Sequence, residues 1–112
     1  MATERLRAEL WVRAYLKRLE LAHIPAYIAA RGQPDSGAVM VKCATLDGNA
    51  RLYTRGFDLM SGASEWRVLT DGSEIDIDAS IRKQRSFDPD LWVIEIESRD
   101  GRTLLDEEGL RD

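Results

Sequence analysis

The sequence predicts an α+β fold: a two-layer sandwich in which a mostly antiparallel sheet of five or six strands carries two helices on one face. Three observations lead there. Val39, Val41 and Cys43 alternate with Met40, Lys42 and Ala44, and Trp92, Ile94 and Ile96 alternate with Val93, Glu95 and Glu97, as in strands with one packed face. Val12, Tyr15, Leu16, Leu19 and Ala22 recur at the i, i+3, i+4, i+7 spacing of an amphipathic helix. Ser73, followed by Ile77 and Ile81, starts a second helix with a capping residue.

Taken in order, residues 5–11 read either as a short first strand or as an upstream extension of the first helix. The alternation of Leu6, Ala8, Leu10 and Val12 favours the strand, because the helical stripe extended backwards falls on Arg5 and Glu9. The helix proper spans about 12–23, and Pro25 stops it. Ala26, Ile28 and Ala30 then share one face of a strand that ends at Arg31-Gly32. Turn-forming residues fill 32–37, and Val39, Val41 and Cys43 open the next strand. Asp47-Gly48-Asn49 signals a hairpin, with 50–57 as the returning strand. A short strand is expected at 66–69 and a turn at Asp71-Gly72. Ser73 caps a helix that turns Ile77, Ile81 and Phe87 inward, and Pro89 closes it by forcing Asp88 out of helical geometry. Trp92, Ile94 and Ile96 mark the strongest strand, with a further strand expected at 102–105 and a frayed acidic end over 106–112.

At 112 residues, 44% hydrophobic and 32% charged, the chain has the size and composition of a single globular domain over 1–112. No apolar run approaches the ~20 residues that span a bilayer, and the polar start lacks an export signal, so a soluble cytoplasmic protein without a membrane partner is expected. Cys43 is the only cysteine; it suits a reducing compartment and reads as a small buried hydrophobe. The net charge of −4 divides unevenly, with nine Lys/Arg against five Asp/Glu up to residue 56 and seven against fifteen beyond it. Attraction between the two halves accounts for this, and the absence of an overall positive field disfavours nucleic acid as a partner.

Chemistry-bearing motifs are sparse. His23, the only histidine, falls at a helix C-terminus, where a capping role suffices. No Gly-rich phosphate loop, nucleophile elbow or Walker sequence is present. Pro34-Asp35 with Lys42 on the next strand resembles the Pro-Asp…Asp/Glu-x-Lys arrangement of metal-dependent nucleases. The resemblance fails at Met40, which stands where a second carboxylate would hold Mg²⁺; Glu20 is the sole acidic substitute on the first helix. Arg82, Lys83 and Arg85 form a basic run near the end of the second helix, where positive charge is favoured by the helix dipole. No cofactor and no metal site are expected.

Trp11-Val12, Ala14-Tyr15-Leu16, Ile24-Pro25-Ala26, Arg31-Gly32, Gly37-Ala38-Val39 with Lys42, and above all Asp88-Pro89-Asp90-Leu91-Trp92-Val93 resemble the bacterial domain of unknown function 1491 family over nearly the whole chain. The resemblance implies a small stand-alone bacterial protein and brings no activity, substrate or catalytic residue with it. Function must therefore be read from the residues themselves. The expectation is a binding or regulatory module acting through the open face of its sheet, on which Lys42, Arg51, Tyr53 and Arg55 are placed by strand parity, with Glu95 and Glu97 beside them. Arg and Tyr are enriched at interfaces, so a protein partner or self-association is expected there, with no particular small-molecule ligand implied. A motif-free enzyme, most concretely a nuclease around Asp35 and Lys42, is the alternative.

Overall fold

The computed structural model describes residues 7–57, 59–62 and 64–110. The first helix, α1, runs Ala8–Leu21 and buries Ala8, Trp11, Val12, Tyr15 and Leu19. Helical phase thus prevails over the strand expected at 5–11, of which 5 and 6 lie outside the described residues. Leu10, which the alternation turned inward, is 51% exposed. The helix can start this early because the loop before β2 supplies its cap: the N–H groups of Ala8 and Glu9 donate to the carbonyls of Asp35 (3.4 Å) and Pro34 (2.9 Å). At the other end His23 takes a left-handed conformation (φ 60°), its N–H donating to Glu20 O while Ile24 N–H reaches Leu19 O. This Schellman pair ends the helix through the backbone of His23.

Five strands follow: β1 Ala26–Ala30, β2 Val39–Ala44, β3 Asn49–Phe57, β4 Ser64–Ser73 and β5 Trp92–Glu97, with α2, Glu74–Phe87, between the last two. The sheet order is β1-β5-β2-β3-β4, antiparallel except for the β5–β2 pair. The α+β class and the mostly antiparallel sheet are as the sequence predicts. Ser73 caps α2 as expected, its hydroxyl accepting the Asp76 N–H at 3.2 Å.

The placement of the helices differs. Val41, Cys43, Trp92, Ile94 and Ile96 pack against α1, whereas Met40, Leu52 and Val93 pack against Ile77 and Ile81 of α2. Neighbouring residues of one strand point to opposite faces, so the helices lie on opposite sides of the sheet and the molecule has three layers. The reason is legible in β2 and β5. Met40, Val41, Lys42 and Cys43 are buried in succession, as are Trp92, Val93 and Ile94, the near-continuous burial of central strands covered on both faces.

Three smaller expectations also change. β4 extends through Asp71-Gly72 instead of turning there, because Arg51 and Ala50 pair with those residues. Phe87, at the last position of α2, is 77% exposed. Residues 102–105 form no strand: Leu104 adopts φ 63°, and both Leu104 and Leu105 are buried against α1. The acidic segment after them is docked, since Leu110 is 1% exposed within the same core; 111 and 112 lie outside the described residues. Among the described residues no helix is long and apolar enough to cross a membrane.

Candidate functional site

The loop 31–38 is built around Trp92. Its indole N–H donates to Gln33 O at 2.8 Å, and Gln33 N–H donates to Asp90 O at 3.0 Å. Gln33 Oε1 in turn accepts the N–H groups of Asp35 (2.8 Å) and Ser36 (2.7 Å), which fixes the turn. Arg85 adds a clamp from α2, donating to the carbonyls of Leu91 (3.2 Å), Arg31 (3.1 Å) and Pro89 (3.0 Å). One member of the basic run at 82–85 is therefore a structural tie between helix and loop.

This joint fixes one wall of a pocket of about 680 Å³ beside the start of α1. Asp35, Ser36 and Gly37 line that wall, and Trp11, Arg55 and Trp66 line the other. Arg55 on β3 pairs directly with Trp66 on β4, so both project to the α1 side of the sheet. There the Trp11 and Trp66 rings stack with centroids 5.2 Å apart, and the Arg55 guanidinium lies 4.9 Å from the Trp66 centroid and 5.4 Å from that of Trp11. Cation–π attraction holds the group together. Across the pocket, Asp35 is exposed and only loosely paired with Arg7 at 3.6 Å. An aromatic wall with a cation at one side and a carboxylate at the other suits a flat ligand with polar ends.

The residues expected to bind do not form one surface. Val41 pairs with Tyr53 and Cys43 with Arg51, so Arg51, Tyr53 and Arg55 share the α1 face, whereas Lys42 pairs with Leu52 and lies on the α2 face with Glu95. The sheet is covered by α2 at Lys42, whereas on the α1 face Tyr53 and Arg55 are half-buried and Arg51 is exposed. Tyr53 packs against the first core, and only Arg55 of the four lines the pocket. Lys42 is 3% exposed, its ammonium held by Asp78 (2.7 Å), Glu95 (2.9 Å) and Glu74 (3.4 Å).

Asp35 therefore lines the pocket while Lys42 is committed to the far side of the sheet, so the nuclease-like pair is not assembled. Met40 is buried against α2, Glu20 pairs with Lys17 at 3.8 Å on the helix surface, and His23 is exposed outside the pocket. Cys43 is fully buried; desolvation raises its thiol pKa, opposed in part by Arg51, so it behaves as the small hydrophobe expected. Among the described residues no group of three or more His, Cys, Asp or Glu is placed to hold a metal ion. Trp11 and Trp66 were not anticipated as site residues. Only the β3–β4 register of the folded sheet, which sets Trp66 opposite Arg55, and the placement of α1, which carries Trp11, bring them there.

No curated protein matches this chain. Among solved structures, it is similar to the crystal structure of a DUF1491 family protein from Caulobacter crescentus, with 37% identity and a TM-score of 0.83 over 92% of this chain and 97% of that one. An NMR structure of a DUF1491 family protein from the same organism gives 36% identity and a TM-score of 0.80, covering 94% and 96% of the two chains. A protein from A. tumefaciens, solved in solution, shows 28% identity and a TM-score of 0.72 over 85% and 87%. Residues 6–106 match the family described as protein of unknown function (DUF1491), and the chain belongs to that family.

Proposed function

We propose that this protein is a small binding module of the bacterial cytoplasm whose ligand seats in the pocket between Trp11, Trp66 and Arg55 on one side and the Asp35–Gly37 turn on the other. The observation that carries this reading is the convergence of two stacked indoles and a guanidinium on a recess of about 680 Å³, a volume within the range of ligand sites. The recess beside the half-buried Trp66 takes an apolar group, and Arg55 and Asp35 bracket its polar ends. Arg55 is the expected interface residue that this reading keeps at its centre, with Arg51 and Tyr53 further along the same face. The cytoplasmic assignment rests on the single cysteine, Cys43, buried as a free thiol, which suits a reducing compartment.

The test uses 8-anilinonaphthalene-1-sulfonate, an aromatic anion with a planar naphthalene, titrated into the folded protein. Saturable one-to-one binding is expected. Ala38, exposed and on the pocket rim, offers a block that leaves the core untouched. Ala38→Trp should weaken the probe at least about tenfold with an unchanged thermal midpoint, since exposed positions contribute little to folding. A native protein that leaves the probe unbound, or a variant that binds it as well as the parent, would overturn the reading.

A further inference from the structure

The segment after Leu105 is held in a way that ordinary core packing does not require. Asp106, Glu107, Glu108 and Gly109 are exposed, yet Leu110 is buried. Its carbonyl accepts two indole N–H groups at once, Trp66 Nε1 at 3.0 Å and Trp11 Nε1 at 3.3 Å. Two residues earlier the Glu108 carbonyl accepts Arg18 Nη1 at 2.7 Å, and the same guanidinium stands 4.0 Å from the Glu107 carboxylate. Gly109 between them has φ +88°, and a Cβ there would sit 2.8 Å from Arg18 Nη2. The groove between α1 and β4 thus reads a short segment by four features. It has an apolar socket, a two-donor clamp on one carbonyl, a cation that takes a second carbonyl beside a carboxylate, and a position whose positive φ favours glycine.

We propose that this groove is a peptide-binding site, filled in cis by residues 106–110 and fitted to an acidic segment that ends in Gly-Leu. The proposal does not rest on the pocket reading, since it uses the N–H edges of the two indoles and not their faces. Its donors Trp11, Arg18 and Trp66 and the first occupant residue, Asp106, lie within the 6–106 family match, whereas 107–110 lie outside. A segment anchored by one apolar side chain and two carbonyls opens locally at much lower free energy than the sheet does. Once it opens, the two indole donors are free to take another acceptor. A peptide in trans with the same acidic Gly-Leu chemistry supplies it, and the cis segment lowers the apparent affinity by the fraction of time it occupies the groove.

The probe is the N-acetylated, C-amidated pentapeptide Asp-Glu-Glu-Gly-Leu, titrated into full-length protein and followed by tryptophan emission. Leu110→Asp empties the socket, and Gly109→Val expels the segment by straining its backbone, which stands at φ +88°. Each folded variant should bind the peptide at least about tenfold more tightly than the parent, and the same peptide with aspartate in place of its leucine should not bind. Binding no tighter than to the parent would overturn the proposal. So would loss of cooperative folding in both variants, which would make the segment an inseparable part of the core.

Discussion

At Lys42 a full positive charge lies 3% exposed between the sheet and α2, a placement tolerated only because three carboxylates converge on it. Burial alone pulls the ammonium pKa down; the hydrogen bonds it donates to Asp78 and Glu95, with the charges of those carboxylates, outweigh it and leave the net shift upward. Glu95 also accepts the Tyr27 hydroxyl, so one lysine ties β1, β2, β5 and α2 together. Lys42→Met keeps the aliphatic packing and deletes the charge, leaving Glu95, 16% exposed, without its cation. We expect a loss of about 2–3 kcal/mol in urea unfolding, the scale for breaking charged hydrogen bonds in a partly buried site. A loss below about 0.5 kcal/mol, typical of a surface pair, would contradict this account. Strand parity was enough to separate Lys42 from Val41 and Cys43. It was not enough to say which side would be covered, because one lysine in an otherwise apolar strand looks the same whether it meets solvent or a second helix.

Elements were most legible where local chemistry and tertiary packing agree. The hairpin at Asp47-Gly48-Asn49, the cap at Ser73 and β5 follow from turn, capping and alternation signals and appear where those signals put them. The start of α1 was not legible, because its cap comes from Pro34 and Asp35, carbonyls supplied by a distant loop. The candidate site was illegible for a similar reason: Trp11, Arg55 and Trp66 belong to three elements and meet only once β3–β4 register and helix placement are fixed. The blocks that carry the family resemblance do have a visible role. Gly32 and Gly37 let the loop close on Trp92 and Asp90, where a Cβ on Gly37 would lie 2.4 Å from Asp90 O and 2.9 Å from the Trp92 ring. Backbone cannot yield as a flexible side chain can, so Gly37→Ala should cost at least about 2 kcal/mol, in the range for overpacking. Gly48, at φ +90° with open space around its Cα, should lose only about 1 kcal/mol on change to Ala. Urea midpoints of the two variants should therefore separate clearly, and equal losses would show that the loop relaxes around the extra methyl.

For the molecule as a whole, burial and hydrogen bonding place several protonated groups where loss of the proton is disfavoured, and this sets the direction of its alkaline limit. Tyr15 is fully buried with its hydroxyl donating to Thr103 O at 2.9 Å, and desolvation raises its pKa, with Cys43 and Tyr53 adding to the effect. Tyr27 is pushed up to about 12, first by its hydrogen bond to Glu95 and then by burial. Lys42 is shifted upward as well. Each group is protonated more firmly in the folded chain than in the unfolded one, whose tyrosines and lysines titrate near about 10. The native state then binds more protons than the unfolded state above that pH, so stability falls as pH rises. The contribution is complete below about pH 10 and is lost across the interval up to the folded values, which for Tyr27 means about pH 10 to 12. The attraction between a basic first half and an acidic second half has concrete form in Lys42 with Glu74, Asp78 and Glu95, and in Arg18 with Glu107. It weakens in the same direction once lysine loses its proton. Thermal midpoints measured at intervals from about pH 8 to about pH 11 should stay level at first and then fall through the upper part of that range. Ultraviolet difference absorbance should show tyrosine ionisation lagging behind that of the unfolded chain until the protein unfolds. If Tyr15 and Tyr27 instead titrate near about pH 10 with the fold intact, the enclosure of Tyr15 by α1 and the sheet and the Tyr27–Glu95 bond are both misplaced.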